Sequence, residues 1–315
     1  MSDSRRGVLF GVAAYAMWGL FPLYWPLLRP SGAVEILAHR IVWSLVVVVG
    51  VLVVRRHWSW VRGIVRRPRT LLLLTLAAAA VTVNWGVYIY AVNSGHVVES
   101  SLGYFINPLV NVLFGVVVFG ERMRGWQWVA VGLGAVAVVV LTVDYGRLPW
   151  IALVLAVSFG TYGLLKKSAG VGAAESMAVE TLVLLGPALG YLIFLGVQGD
   201  GTFGGFGVGH AVLLAGAGVV TAVPLMMFTA AAIRVPLTVL GLMQYIAPIL
   251  QFLCGVLVAR EVMPTSRWVG FAVIWLALAV FTWDGLRHAR AVRRAVPHVD
   301  RGRPLAQPER SATLG

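Results

Sequence analysis

The 315-residue sequence is poor in cysteine and in acid: Cys254 stands alone, and 12 Asp and Glu face 25 Lys and Arg. One cysteine excludes an intrachain disulfide and a thiolate metal cluster. No P-loop signature is present, so ATP would not drive any process from within this chain. Gly199, Gly201 and Gly204 match GxGxxG letter for letter. They follow no strand pattern, which excludes a dinucleotide site, and no cofactor or metal is expected. Charge itself is scarce, at 12% of residues, whereas 59% are hydrophobic and mean hydropathy is +0.87. A soluble domain of this length could not hide so much apolar surface, so the chain belongs in a bilayer.

Apolar runs of the length that crosses about 30 Å of hydrocarbon recur ten times. They cover roughly 8–28, 33–54, 71–92, 101–119, 126–143, 148–165, 175–197, 211–233, 237–258 and 267–284, and all are predicted helices. The first run is too long for a secretion signal and is expected to stay in the chain. The net charge of +13 could suggest nucleic acid. If the N-terminus is cytoplasmic, however, 20 of the 25 basic residues fall on cytoplasmic segments, among them Arg55, Arg56, Arg122, Arg124, Lys166 and Arg234. Positive-inside bias explains the charge without a nucleic-acid partner and places both termini in the cytoplasm. The basic segment 287–315 reads as a disordered tail able to touch anionic membrane lipid.

The chain repeats itself. Shifted by 140 residues, 13 of the 38 positions from 107 to 144 are identical, including Pro108 with Pro248, Glu121 with Glu261, Trp128 with Trp268 and Asp144 with Asp284. Each copy holds five spans, so the second must enter the membrane from the opposite side. Residues 1–145 and 146–286 are therefore expected to be two five-helix repeats of inverted topology, a plan that secondary transporters use with the site between the halves.

Polar residues inside apolar spans mark candidate sites. Pro108 frees the carbonyl of Tyr104, and Pro248 that of Gln244, so both prolines are expected to break their helices. Tyr104, Asn107 and Asn111 in one half, with Gln244 and Gln251 in the other, are then placed to line a solute cavity, together with Trp18 and Asn84. The alternative is that these amides join helices and the prolines merely kink them. Glu35 and His39, four residues apart with Arg40 adjacent, or else Glu180, are placed to carry a coupling proton or a gate; nothing in the sequence chooses between them. A structural pairing of Arg40 with Glu35 is the competing expectation. Gly7 with Gly11, and Gly186 with Gly190, are GxxxG pairs expected to allow close helix contact.

The segments AYAMWGLFPLYW, EILAHRIVWS, NWGVYIYAVNSGHVVESSLGYFINPLVNVLFG and LMQYIAPILQF resemble the RarD branch of EamA-type permeases in the drug/metabolite transporter superfamily. The resemblance runs from about Gly7 to Asp284. It implies a ten-helix inverted-repeat permease whose central cavity lies among spans one to four and six to nine. It also implies export of small metabolites or drugs, as members of the superfamily export metabolites such as amino acids, and members of this branch are commonly labelled chloramphenicol-sensitivity or resistance permeases. Trp18, His39, Arg40, Asn84, Tyr104, Asn107, Asn111, Glu180, Gln244 and Gln251 match recognisable segments of that branch. The second repeat departs by ending VARE where the first ends FGER. The sequence thus reads as a multi-pass plasma-membrane secondary transporter of a small-molecule substrate, with alternating access, proton exchange as a candidate drive and a homodimer left open. Its rivals are a membrane enzyme built on Glu35 and His39, for which no third catalytic partner stands in the motif, and a non-transporting sensor or assembly subunit.

Overall fold

The computed structural model describes residues 3–56, 58–120, 122–232, 234–235 and 237–295; the repeat residue Glu121 and the tail beyond 295 lie outside them. Among the described residues all regular structure is helical. Hydrocarbon offers the backbone no water, so a helix, which pairs its own N–H and C=O groups, is the local solution for each apolar run. The first half forms α1 (Asp3–Gly19), α2 (Ala33–Arg55), α3 (Pro68–Asn93), α4 (Val97–Phe119) and α5 (Gly125–Tyr145). After a 43° bend, α1 continues as short helical turns over Phe21–Leu28. The second half forms α6 (Trp150–Ala169), α7 (Ala173–Gln198), α8 (Gly207–Ala232), α9 (Leu237–Met243), α10 (Ile246–Leu253) and α11 (Thr265–Ala295). A π turn over Cys254–Val258 extends α10.

All ten expected runs fall on helix. Among the described residues seven helices are long and apolar enough to cross a membrane alone, or eight if the bent pair is one span. Trp150–Lys166 and Ile246–Val258 are shorter apolar helices, because Lys166 ends one run and a turn at Gln244 and Tyr245 divides the other. The prolines behave differently. Pro108 sits inside the unbroken α4, so it does not break its helix as expected. The turn near Pro248 falls at Gln244–Tyr245, where the proline removes the amide that would bond the Gln244 carbonyl. Helix α11 also continues through Ala295, correcting the expectation that structure ends at 286.

The exterior is apolar, and the interior, itself largely apolar, also holds a set of polar and charged side chains. Val117, Val143 and Leu257 are largely exposed, whereas Glu35, His39, Arg40, Asn84, Asn107, Glu180 and Gln251 are buried. Most strong packing joins the two halves: α2 lies on α7 and α8, α3 and α4 on α6, α1 on α8 and α10, and α5 on α11. The last pair is antiparallel. Arg124, at the start of α5, meets Asp284 of α11 at 2.6 Å, and Asp144, near the end of α5, meets Arg267 at 2.8 Å. Small residues permit the closest approaches: a Cβ on Gly103 of α4 would lie 2.7 Å from the Ala152 carbonyl of α6. Gly7 and Gly11 similarly press on Arg234, Val235 and Met243. Gly186 and Gly190 face open space, so the second GxxxG pair makes no such contact. Gly199, of the GxGxxG match, closes α7 at φ +78°, a left-handed position that explains the glycine without a nucleotide.

Candidate functional site

Contacts across the chain sort the connections onto two ends. At one end Arg29 donates to the Asn93 carbonyl at 2.8 Å, and Arg147 pairs with Glu99 at 2.8 Å. Here too the Glu261 carboxylate accepts the N–H groups of Val97 and Val98, the latter at 3.1 Å, capping α4 from the other half. Burial pushes the Glu261 carboxyl up from the usual 4.5 to about 6, against the two amides and Arg267, which favour its charged form. At the opposite end Arg234 meets Asp3 at 3.2 Å and Lys166 meets Glu180 at 2.9 Å.

Arg40 lies between these ends, only 3% exposed. Its Nε donates to the Thr221 hydroxyl of α8 at 2.8 Å, and that hydroxyl donates in turn to the Ala217 carbonyl. The guanidinium carbon lies 3.9 Å from the ring centroid of Trp85, 5.1 Å from Trp25 and 5.6 Å from Phe21. Such faces attract a cation but supply no hydrogen-bond acceptor in the plane of the fork. Nη1 accordingly has no partner, and neither do two other buried donors of the same cluster, Trp25 Nε1 and Tyr88 Oη.

Next to this cluster Asn84 joins three elements. Its Oδ1 accepts the Tyr104 hydroxyl at 3.0 Å, while its Nδ2 donates to the Leu155 carbonyl at 3.0 Å and to Ser158 at 3.1 Å. Tyr104 also meets Tyr88 edge to face. Gln251 donates to the backbone carbonyl of Trp18 at 3.2 Å, and its own Oε1 is buried without a partner. The Trp18 ring packs instead with Tyr15 and Phe228. Asn111 donates to Asn107 at 2.8 Å within α4, one exposed and the other buried. Gln244 sits half-buried at the turn between α9 and α10.

The charged candidates separate. Glu35 does not pair with Arg40: its Oε1 accepts the backbone N–H of Thr202 at 2.7 Å and the Thr202 hydroxyl at 2.9 Å. Ser31 bonds the same hydroxyl at 2.6 Å and His210 at 2.9 Å, so the loop before α8 is tied to the start of α2. His39 stacks on Phe203 with ring centroids 4.9 Å apart, and its Nε2 is unpartnered. Glu180 accepts from Lys166 and, at 3.2 Å, from Tyr162. Among the described residues, no group of three His, Cys, Asp or Glu is placed to hold a metal ion.

Sequence reasoning missed Thr221 and Ser158, because a hydroxyl in an apolar run carries no periodic signal of its own, and Thr202 and His210, which precede the eighth run and meet Ser31 and Glu35 only in the fold. Only the fold shows that Trp25, with Phe21 and Trp85, lies over the Arg40 guanidinium.

The chain matches the EamA-like transporter family over residues 5–143. Protein RarD of Streptomyces exfoliatus is 60% identical over 292 residues, 93% of each chain. A protein of Pseudomonas aeruginosa called chloramphenicol-sensitive protein RarD is 33% identical over 301 residues, covering 93% of this chain and 99% of that one. A solved crystal structure with 18% sequence identity superposes at a TM-score of 0.59, covering 88% of this chain and 97% of the other, which supports the helical fold alone.

Proposed function

Because the chain belongs to the RarD family of EamA-type transporters, we propose that it is a secondary-active permease that exports small metabolites or drugs by alternating access. The chain is a multi-pass membrane protein of a transporter family. The proposal adds ten spans in two inverted five-helix repeats, with cytoplasmic termini and the Arg29 end outside. Support comes from the packing, in which α1 on α8 has its counterpart in α3 on α6, and α4 on α6 its counterpart in α1 on α10. The antiparallel α5 and α11 fit the same exchange.

One observation carries the reading: a buried polar core, Arg40 with Thr221 and Asn84 with Ser158, formed by side chains from both halves inside an apolar shell. In lipid such groups are unfavourable unless they face one another, water or a solute. Support for a state closed at the outer end comes from the cross-half bonds of Glu261 and Ser31 at the Arg29 end. Proton exchange belongs to this proposal, with Glu35, His39 and His210 at the outer end and Glu180 with Lys166 at the inner as the groups placed to couple it. Chloramphenicol, from the name of the Pseudomonas relative, is one candidate cargo.

The test compares metabolites inside and outside cells carrying wild type, Asn111→Leu or no protein, at matched membrane expression. Wild type is expected to move an intact compound outward and Asn111→Leu to move at least about 3-fold less, as for loss of one hydrogen bond. A chemically converted compound would instead mark an enzyme, and no difference with amino acids and chloramphenicol supplied would sink the export reading.

A further inference from the structure

We propose that Arg40 is the receptor for a carboxylate on the transported solute, which makes small organic anions the substrate class. The inference rests on the transporter reading for the word transported; the anion site itself rests on geometry.

A guanidinium removed from water is strongly unfavourable unless it is paired and its remaining protons are bonded. Among the described residues Arg40 has no carboxylate within ion-pair distance, because Glu35, the nearest acid in sequence, is held by Thr202. Three aromatic faces offset part of the cost and explain how the cation persists without a counterion. They leave Nη1 unbonded. Thr221 fixes the other edge of the fork, since its hydroxyl is itself oriented by Ala217. Two more unpartnered buried groups able to donate, Trp25 Nε1 and Tyr88 Oη, lie in the apolar cluster that also holds the Phe21 and Trp25 rings over Arg40. What the site lacks is an acceptor, and the acceptor that also cancels a unit positive charge is a carboxylate.

The charge count separates carboxylate from phosphate. Among the described residues Arg40 is the one cation that lies over the Phe21, Trp25 and Trp85 rings, so a phosphate dianion there would leave one negative charge uncompensated in a low-dielectric interior. A monocarboxylate leaves the site neutral. A neutral site is also the condition under which two helical halves can rock around a solute without exposing charge to lipid.

The test uses the full chain in lipid nanodiscs and three probes that share a ring: benzoate, benzamide and phenyl phosphate. Binding is read by tryptophan fluorescence, for which Trp85 on Arg40 is the reporter, and by thermal shift. Benzoate is expected to bind at least about 10-fold more tightly than benzamide, and Arg40→Met to remove that preference without lowering the melting temperature of the empty protein. Arg40→Lys, which keeps the charge but loses the planar fork, covers the case in which Arg40→Met fails to fold; it is expected to weaken benzoate about 10-fold. Equal binding of benzoate and benzamide, tighter phenyl phosphate, undiminished benzoate binding by either variant, or no binding of benzoate overturns the proposal. Flux from proteoliposomes tests the transporter reading separately. Benzoate binding without flux of any solute would keep the anion site and sink transport, whereas flux confined to neutral or cationic solutes would keep transport and sink the anion site.

Discussion

Asn84 bonds three partners from within an apolar helix and is 1% exposed. Replacing it with leucine leaves the Tyr104 hydroxyl without an acceptor, so Asn84→Leu is expected to cost about 1–3 kcal/mol, read as a lower melting temperature in nanodiscs. Tyr104→Phe removes the other partner and is expected to cost less. Glu261 gives a pH dependence. Its folded value of about 6 lies above the ordinary 4.5, so the folded state holds the proton more tightly. That contribution is fully present below about pH 4.5 and is lost as pH rises through about 6. Thermal scans across this window are expected to show stability falling with pH in wild type, and the slope should flatten in Glu261→Gln. At this scale the sequence was partly legible. Glu35 and Arg40 are close in the chain, but five residues turn a helix through roughly 140° beyond a full circle, so the two side chains point to different neighbours. Spacing marked both as unusual; only the long-range partners Thr202 and Thr221 could assign them.

Helix contacts depend on small residues that composition alone cannot rank. Gly103 has no room for a methyl group against the Ala152 backbone, whereas Gly186 and Gly190 have nothing within 4 Å. Gly103→Ala is therefore expected to destabilise by about 1–3 kcal/mol, and Gly186→Ala to be neutral or slightly stabilising in the same thermal assay. The GxxxG spacing reads identically for Gly7 with Gly11 and for Gly186 with Gly190, because a spacing does not say what faces it. Helix identity was far more legible, since a run of apolar residues in lipid has one local solution. The two prolines show where that legibility stops. Pro108 and Pro248 align in the repeat, yet α4 stays continuous while the second copy divides at Gln244–Tyr245. A lost hydrogen bond permits a break, and the packing on either side decides whether one forms.

The arrangement of the whole molecule follows from pairing between halves rather than within them. Cys254 is buried and is the only cysteine, so Cys254→Ser supplies a background for single-cysteine labelling. In it, Asp200→Cys is expected to react with an impermeant maleimide from outside, and Gly170→Cys only after the membrane is opened. The opposite pattern would invert the proposed orientation. The sequence repeat was legible through the 140-residue offset, but the contacts at the Arg29 end were not, because Ser31 meets Thr202 and His210, and Glu261 meets Val98, only in the fold. If a solute crosses by alternate opening of the two ends, holding the Arg29 end shut stops its passage. Ser31 Oγ and Thr202 Oγ1 lie 2.6 Å apart, so Ser31→Cys with Thr202→Cys in the Cys254→Ser background should form a disulfide that locks the outer end. The decisive measurement is release of metabolites from proteoliposomes loaded with a cell extract, before oxidation, after it and after reduction. Release is expected to stop when the bond forms and to resume when it is reduced; undiminished release at complete cross-linking would mean that the solute crosses without opening of that end.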